Sequence, residues 1–506
     1  MLKIGWSMKD VSTDLPVCIP GQFNMRISQG VLDPVTVTAL TIADDNDYVI
    51  FLCCDLVGVQ QGVLDIIRAK VAQKNPAIDP LKVVMHITHT HCGPLVRATN
   101  DFGSWGKPGE VPLGGFEVTE PAEYTEFYTN SAAEAICESF ENKKEGSIAY
   151  GYGYAVVAHS RRVVYFDNLS DRPVHRKASS LMIDGHAKMY GSTDDDMFSH
   201  YEAGADHFAN FLYTFDKDDK LTGAIVNIPC PSQNSESEWL LSADYWHDVK
   251  QQLKEQYGDI FILPQCAAAG DLSPRTLHYL AAQDRRYRLK YEDFQPDPRS
   301  INPRELLNRK DIANRICEAF TEVYSWASKE KFTDLPVVHS VKTIQLDRRF
   351  VTDEEYEFCV KGKAEAEASL SYIYEGTPTE VSFHNTTAAC ATHRYDSVIA
   401  RYHAQKECAT EPMELHTIKV GDIAFATNQF ELYMDYQHRI QARSPFVQTF
   451  IVQLVAQPGT GASSYLCTER GEWGMGYSAT VFCNRVSPSG GQQLVEETLA
   501  ELKRIY

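Results

Sequence analysis

The sequence predicts an α/β fold: mixed, largely parallel sheets covered by helices, with an active site at the C-terminal ends of strands. Three observations predict it. Strand-like apolar runs alternate with amphipathic segments of helical period. Residues able to carry chemistry follow directly on two of the apolar runs, at His89-Thr90-His91 and at Asp271-Leu272-Ser273. Apolar residues make up 43% and charged residues 23% of the 506, which is ordinary globular usage and excludes a disordered or fibrous chain.

Taken in order, 35–44 and 48–57 read as strands, and 61–74 as a helix with Val63, Ile66, Ile67 and Val71 on one face. A strand over 82–91, a helix over 122–143, a strand over 222–230, a helix over 243–258 and a strand over 259–265 follow. Residues 304–328 form a helix with Leu306, Ile312, Ile316 and Phe320 in register. The region 331–411 differs and reads as a subdomain or insertion in one large domain of 1–506: a strand (337–347), a charged helix (352–370) and a polar stretch (373–392). Residues 414–428 read as a hairpin turning at Gly421-Asp422, running into a helix near 431–443. A strand over 449–457 and a closing helix over 490–505 complete the series. Segments 95–121 and 283–303 read as long loops and candidate lids or insertions.

The chain has 48 basic against 68 acidic residues, a net charge of −20. That surface argues against nucleic acid and against an anionic membrane. No apolar stretch approaches the 18 or so residues of a membrane-spanning helix. The first ten residues lack a signal-peptide pattern. Thirteen cysteines without framework spacing read as reduced thiols. A cytoplasmic location is therefore expected, or a secreted one if a signal has been removed.

His89 and His91, closing a strand, are expected on one face with Met85 and Ile87. Paired imidazoles suit a metal ligand and a proton shuttle; the plainer reading is two satisfied histidines in a turn. Ser273, in a small-residue turn with Asp271 and Pro274, suits a nucleophile or an anion-binding turn, or is an ordinary cap. Glu431 follows a strand, where a lone Glu normally meets a helix dipole. Tyr465 and Tyr477 flank the glycine-rich 471–476. Arg161-Arg162 is an oxyanion clamp or a solvated pair; in an extended segment Arg161 and Arg162 point to opposite faces.

Together these blocks resemble one family. His89-Thr90-His91-Cys92-Gly93-Pro94 resembles the HTHSGP motif of the neutral ceramidases, and Gly270-Asp271-Leu272-Ser273-Pro274 resembles their GDVSP motif. The Glu431 segment resembles the family's P-G-E-x-F stretch. Tyr465 and Tyr477 reproduce its tyrosines twelve positions apart, and Ser160-Arg161-Arg162 resembles its Asn-Arg segment. The order and approximate spacing agree over about residues 1–480. The resemblance is to the neutral/alkaline non-lysosomal ceramidase N-terminal domain, with no room for the family's C-terminal immunoglobulin-like domain.

The resemblance implies a zinc-dependent amidase cleaving an N-acyl substrate, small molecule or lipid. It implies His89, Glu431 and Tyr465 as metal ligands, with His91, Arg161 and Tyr477 around the substrate and Ser273 as nucleophile or organiser. One departure stands out. The family's second zinc histidine belongs in 227–236, which here has none. Depending on a one-residue shift, Cys230 or Pro231 takes its place. Cys230 is a thiolate ligand or a buried thiol at a strand end. Without it three protein ligands remain, or the site is weak or takes another divalent metal, with Gln233 and His247 as more distant substitutes. Two other readings stand beside the amidase: a hydrolase of an ester or non-lipid substrate, and a binding protein that lost its metal with the histidine.

Overall fold

The computed structural model describes residues 1–173, 184–460 and 464–506. Eight strands form the larger sheet: β1 (Lys3–Asp10), β2 (Thr36–Ala43), β3 (Tyr48–Cys54), β4 (Val83–Ile87), β5 (Lys144–Tyr154), β6 (Phe208–Asp216), β7 (Leu221–Ile228) and β8 (Phe261–Cys266). Their spatial order is β8-β7-β6-β5-β1-β2-β3-β4. A smaller sheet runs β9 (Val337–Asp347), β10 (Thr410–Val420), β11 (Ile423–Thr427), β12 (Gln448–Val452).

The α/β class and the mixed sheet are as expected, but antiparallel pairing dominates the larger sheet rather than parallel. Only β3–β4 and β7–β8 pair parallel within it. Connection length explains part of this. The links β2–β3 and β6–β7 are only a few residues long and close as hairpins. Parallel pairs arise only where a helix makes the crossover, α1 (Val63–Lys74) between β3 and β4 and the helix over Tyr245–Tyr257 between β7 and β8. The unbroken apolar runs that suggested parallel strands come instead from burial on both faces.

That burial follows the two-residue alternation. Val37, Ala39, Ile50 and Leu52 face α1 and α2 (Pro121–Glu141). Leu40, Ile42, Val49 and Phe51 face the smaller sheet, meeting Ile418, Ile423, Phe425 and Phe450. Phe425 sits centrally there, 4.9 Å from the Phe51 ring and 4.6 Å from the Phe450 ring. Over β6–β8 the helix cover is α3 (Tyr245–Tyr257) and α4 (Pro303–Ala327), through Trp246, Val249, Ile316 and Phe320. The result is helix, sheet, sheet, helix.

Between β9 and β10 the chain inserts a helical hairpin, α5 (Asp353–Ser369) and α6 (Pro378–Ala404). The polar stretch 373–392 therefore contains most of a 27-residue helix. Its signal was local. Thr377 accepts from the Glu380 N–H while the Glu380 carboxylate returns to the Thr377 N–H, with Pro378 at the first helical position. The hairpin braces two loops: Thr386 accepts from the Met25 N–H, and the Asn385 amide donates to the Pro112 carbonyl. The outer face of the smaller sheet is closed by α7 (Pro488–Ile505), through Leu494, Val495 and Leu499.

Two further expectations change. The segment 283–303 is partly helical, over Leu280–Lys290; Arg286, Lys290 and Tyr291 anchor it on Asp311, so polar contacts replace an apolar stripe. The predicted strand 82–91 stops at Ile87. The cysteines are free thiols, and all but Cys408 and Cys483 are buried. Among the described residues no helix is long and apolar enough to cross a membrane.

A buried polar chain ties α1 to the smaller sheet. Arg68 on α1 meets Glu414 on β10 at 2.6 Å; His416 lies 3.0 Å from the same carboxylate, and His339 lies 2.9 Å from His416. Burial disfavours the Glu414 charge, but the bonds from His416 and Arg68 outweigh it and hold the carboxyl down at about 2, below its ordinary 4.5. A depressed acid stabilises the fold above its unfolded value and ceases to as pH falls through the folded one. The contribution, on the order of 3 kcal/mol, is complete near neutrality and is lost between about pH 4.5 and 2. Glu414→Gln should flatten that acid limb of a thermal-midpoint-versus-pH curve and lower the plateau near pH 7.

Candidate active site

Four chain segments meet where the β4 end of the larger sheet approaches the smaller one. After Ile87 the backbone turns sharply: the Thr88 N–H donates to the Cys54 carbonyl, and His89 adopts a left-handed φ of 64°. Such a value is costly for a non-glycine residue and persists only where surroundings impose it. The expected alternation from Met85 to His91 is therefore broken, yet the two imidazoles still meet. His89 Nε2 lies 3.4 Å from His91 Nε2, with the rings edge to face. The other His89 nitrogen is 2.6 Å from the Val57 carbonyl. His91 is placed by its N–H on the Ser232 carbonyl and by Gly21, whose missing Cβ would fall 2.9 Å from His91 Nδ1.

Glu431 and Tyr465 arrive together. Phe430–Leu432 and Ser464–Leu466 pair as a short parallel ladder, with Glu431 opposite Tyr465. Partners in register share a face, so both side chains point one way. Glu431 thus lies in a strand, not at a helix start; the following helix begins at Met434. Behind the ladder packs Gly270, where a Cβ would lie 2.3 Å from the Glu431 carbonyl oxygen.

Arg161 joins these pieces. Its N–H donates to the Asp271 carbonyl beside the short ladder His159–Ser160 with Leu272–Ser273. Its buried guanidinium donates to the Gly270 carbonyl at 2.9 Å, the Gln233 amide oxygen at 3.0 Å and the Tyr465 hydroxyl at 3.2 Å. It also stands 3.6 Å from Glu431. Arg162 points the other way. It pairs with Glu202 and donates to the Met475 and Tyr477 carbonyls, bracing the turn that carries Tyr477. Tyr477 stands edge-on to Tyr465 at 5.7 Å.

These residues line a cavity of about 380 Å³, together with Tyr190, Gln233 and Glu236. Of the residues singled out by sequence, it gathers His89, His91, Arg161, Glu431, Tyr465 and Tyr477. Ser273 is buried behind the wall; its hydroxyl accepts from Tyr190 at 3.4 Å and from the Arg275 N–H at 3.2 Å. Cys230 is a correction to the expected ligand set. Beyond β7 it turns back into the core beside Tyr245, Trp246 and Cys266, its thiol directed at the Val157 carbonyl. Burial pushes that thiol well above its ordinary value, so it stays protonated. The chain reaches the cavity three residues later, at Gln233, whose amide donates to Tyr190 at 2.6 Å. Tyr190 and Glu236 carry no local sequence signal; Glu236 lies 3.6 Å from His91 and pairs with Arg275.

The electrostatics are sharply divided. Burial opposes the Glu431 charge, but His89 and Arg161 more than offset it, and its carboxyl falls below the ordinary range. Burial, then the neighbouring His89, pushes His91 well below its usual value, so it is neutral. Burial and the Glu431 charge push the Tyr465 phenol well up.

Among the described residues, no group of three or more His, Cys, Asp and Glu side chains is disposed to hold a metal ion. The donors that gather are two imidazoles, the carboxylates of Glu431 and Glu236, and the phenols of Tyr190, Tyr465 and Tyr477. Their chemistry suits a cation. His89 Nδ1 meets the Val57 carbonyl, so Nε2, 3.4 Å from a Glu431 oxygen, is where either a proton or a metal ion would offset the Glu431 charge.

No family model and no curated protein matches the sequence. Solved structures do match the fold. A solved structure of neutral ceramidase from Pseudomonas aeruginosa superposes with a TM-score of 0.64 at 15% identity, over 99% of this chain and 75% of that one. A structure of ceramidase complexed with C2 gives 0.64 at 14% identity with the same coverage. The chain thus has a neutral ceramidase-like fold.

Because Gly270 touches the Glu431 backbone, Gly270→Ala must displace the 430–432 ladder strand. The variant should lose thermal stability by several degrees, and its crystal structure should show Glu431 moved away from Arg161.

Proposed function

We propose that the protein is a metal-dependent hydrolase, with zinc the leading candidate, that cleaves the amide bond of an N-acyl substrate. The observation that carries this reading is the meeting of His89, Glu431 and Tyr465 in one cavity with Arg161, on a neutral ceramidase-like fold. His89, Glu431 and Tyr465 would hold the metal, which when bound would polarise a carbonyl and make a bound water more acidic.

The chain's own groups do the rest. Arg161, charged and buried, meets the negative charge that develops on the amide oxygen. His91, neutral and 3.4 Å from His89, accepts a proton at Nε2 and returns it to the leaving nitrogen. Tyr477 orients the substrate against Tyr465. Ser273, out of reach of the cavity, positions Tyr190 and through it Gln233. An ester would be cleaved by the same groups, so amide and ester substrates belong in one assay.

The test joins elemental analysis of the purified protein to turnover of N-acyl compounds. About one metal ion per chain is expected. His89→Ala should lose both metal and turnover while the circular dichroism spectrum is kept. Arg161→Gln should lower kcat by roughly 10²–10³-fold. Cys230→Ser should change neither. A wild-type protein that binds no metal and hydrolyses no amide or ester would refute the reading and leave a binding protein.

A further inference from the structure

A second cavity, also about 380 Å³, shares Glu431, Tyr465 and Tyr477 with the first as part of its wall. Its remaining lining is strongly polar and includes Arg401, Arg485, Glu411 and Gln429. Arg401 lies in the last turn of α6, and Arg485 follows the Tyr477 turn.

The charges in this cavity do not cancel. Glu411 is taken by Arg348 at 2.8 Å and reaches Arg485 only at 4.0 Å. Glu355 is taken by Arg349 at 2.8 Å, and Glu472 lies 3.2 Å from the same arginine. Among the described residues, Arg401 is left with no carboxylate of its own. It donates to the Asn484 and Val481 carbonyls, and its buried Nε has no partner. Burial, then the guanidiniums of Arg485 and Arg349, disfavour its charge. Arg401 keeps some contact with water, but a guanidinium beside two others still favours a negative partner. Glu431 on the shared wall does not serve, since His89 and Arg161 already oppose its charge.

We infer that Arg401 and Arg485 bind an oxyanion, carboxylate or phosphate, carried by the substrate whose amide bond lies in the adjoining cavity. Guanidinium groups match both anions with paired donors. This rests on the hydrolase reading above and adds to it: the substrate is an anionic N-acyl compound, and a neutral lipid is the poorer one. Tyr465 and Tyr477, shared by both cavities, lie between the anion and the reacting bond.

The experiment has a binding arm and a turnover arm. In the first, inorganic phosphate is titrated into the full-length protein and the thermal midpoint is followed. Phosphate should raise the midpoint of the wild type and do so much less for Arg485→Gln, whose side chain is half-exposed and bears little of the fold. In the second, an N-acyl amino acid is compared with its methyl ester, and an N-acyl phosphoethanolamine with the N-acylethanolamine. The charged member of at least one pair should have the higher kcat/KM, and the pair that shows it identifies carboxylate or phosphate. Arg485→Gln should reduce that charged-over-neutral preference about tenfold.

An equal phosphate response in wild type and Arg485→Gln would overturn the anion site. So would a charged-over-neutral preference that is absent or unchanged by the substitution. If no amide is cleaved but phosphate stabilisation is lost in Arg485→Gln, the anion site stands as a binding site and the hydrolase reading falls.

Discussion

The site depends on one buried charge. Arg161 lies in the interior, where an unpaired guanidinium would cost several kcal/mol. Its partners come from four separate parts of the chain: the Gly270 carbonyl, the Gln233 amide, the Tyr465 hydroxyl and the Glu431 carboxylate. None is near another in sequence except through the fold. Each partner is therefore fixed relative to the others by a single planar group with donors in fixed directions. Arg162, its neighbour, does the same on the opposite side of the strand, where Glu202 and two carbonyls surround it. The adjacent pair thus anchors both the Glu431–Tyr465 ladder and the Tyr477 turn.

The two sheets supply what the arginine cannot. β4 delivers the histidine turn from the larger sheet, and the segment after β11 delivers Glu431 from the smaller one. The apolar contact between the sheets, centred on Phe51, Phe425 and Phe450, sets their separation. His89 and Glu431, 3.4 Å apart, thus come from two different sheets.

Most strands and helices were legible because burial leaves a periodic pattern, as in Val63, Ile67 and Val71 of α1. Pairing direction was not. A strand buried on both faces reads the same whether its neighbours run parallel or antiparallel, and only the short links at 44–47 and 217–220 distinguished them. α6 was missed because its buried residues are mostly small or polar, such as Ser382, Asn385 and Thr386; the capping pattern at Thr377 was the better signal. At the site, the motif residues His89, His91, Arg161, Glu431, Tyr465 and Tyr477 line one cavity. Cys230 failed because position along the chain does not report side-chain direction after a strand end, and two prolines there turn it inward. Tyr190 and Glu236 were invisible, since their roles come only from contacts distant in sequence.

The α5–α6 hairpin is inserted between two strands that pair with each other along their whole length. Both its ends therefore emerge at one edge of the smaller sheet, and the register of β9 with β10 is indifferent to what lies between. Yet this insertion supports the loops at Met25 and Pro112 and carries Arg401. The residues lining the first cavity belong to the sheets, their turns and loops, whereas part of the wall of the second belongs to the inserted hairpin. Under the proposed hydrolase reading, lengthening or exchanging that insertion would alter what the protein selects while the groups facing the reacting bond stay with the sheets, a route to new specificities around a constant chemical centre.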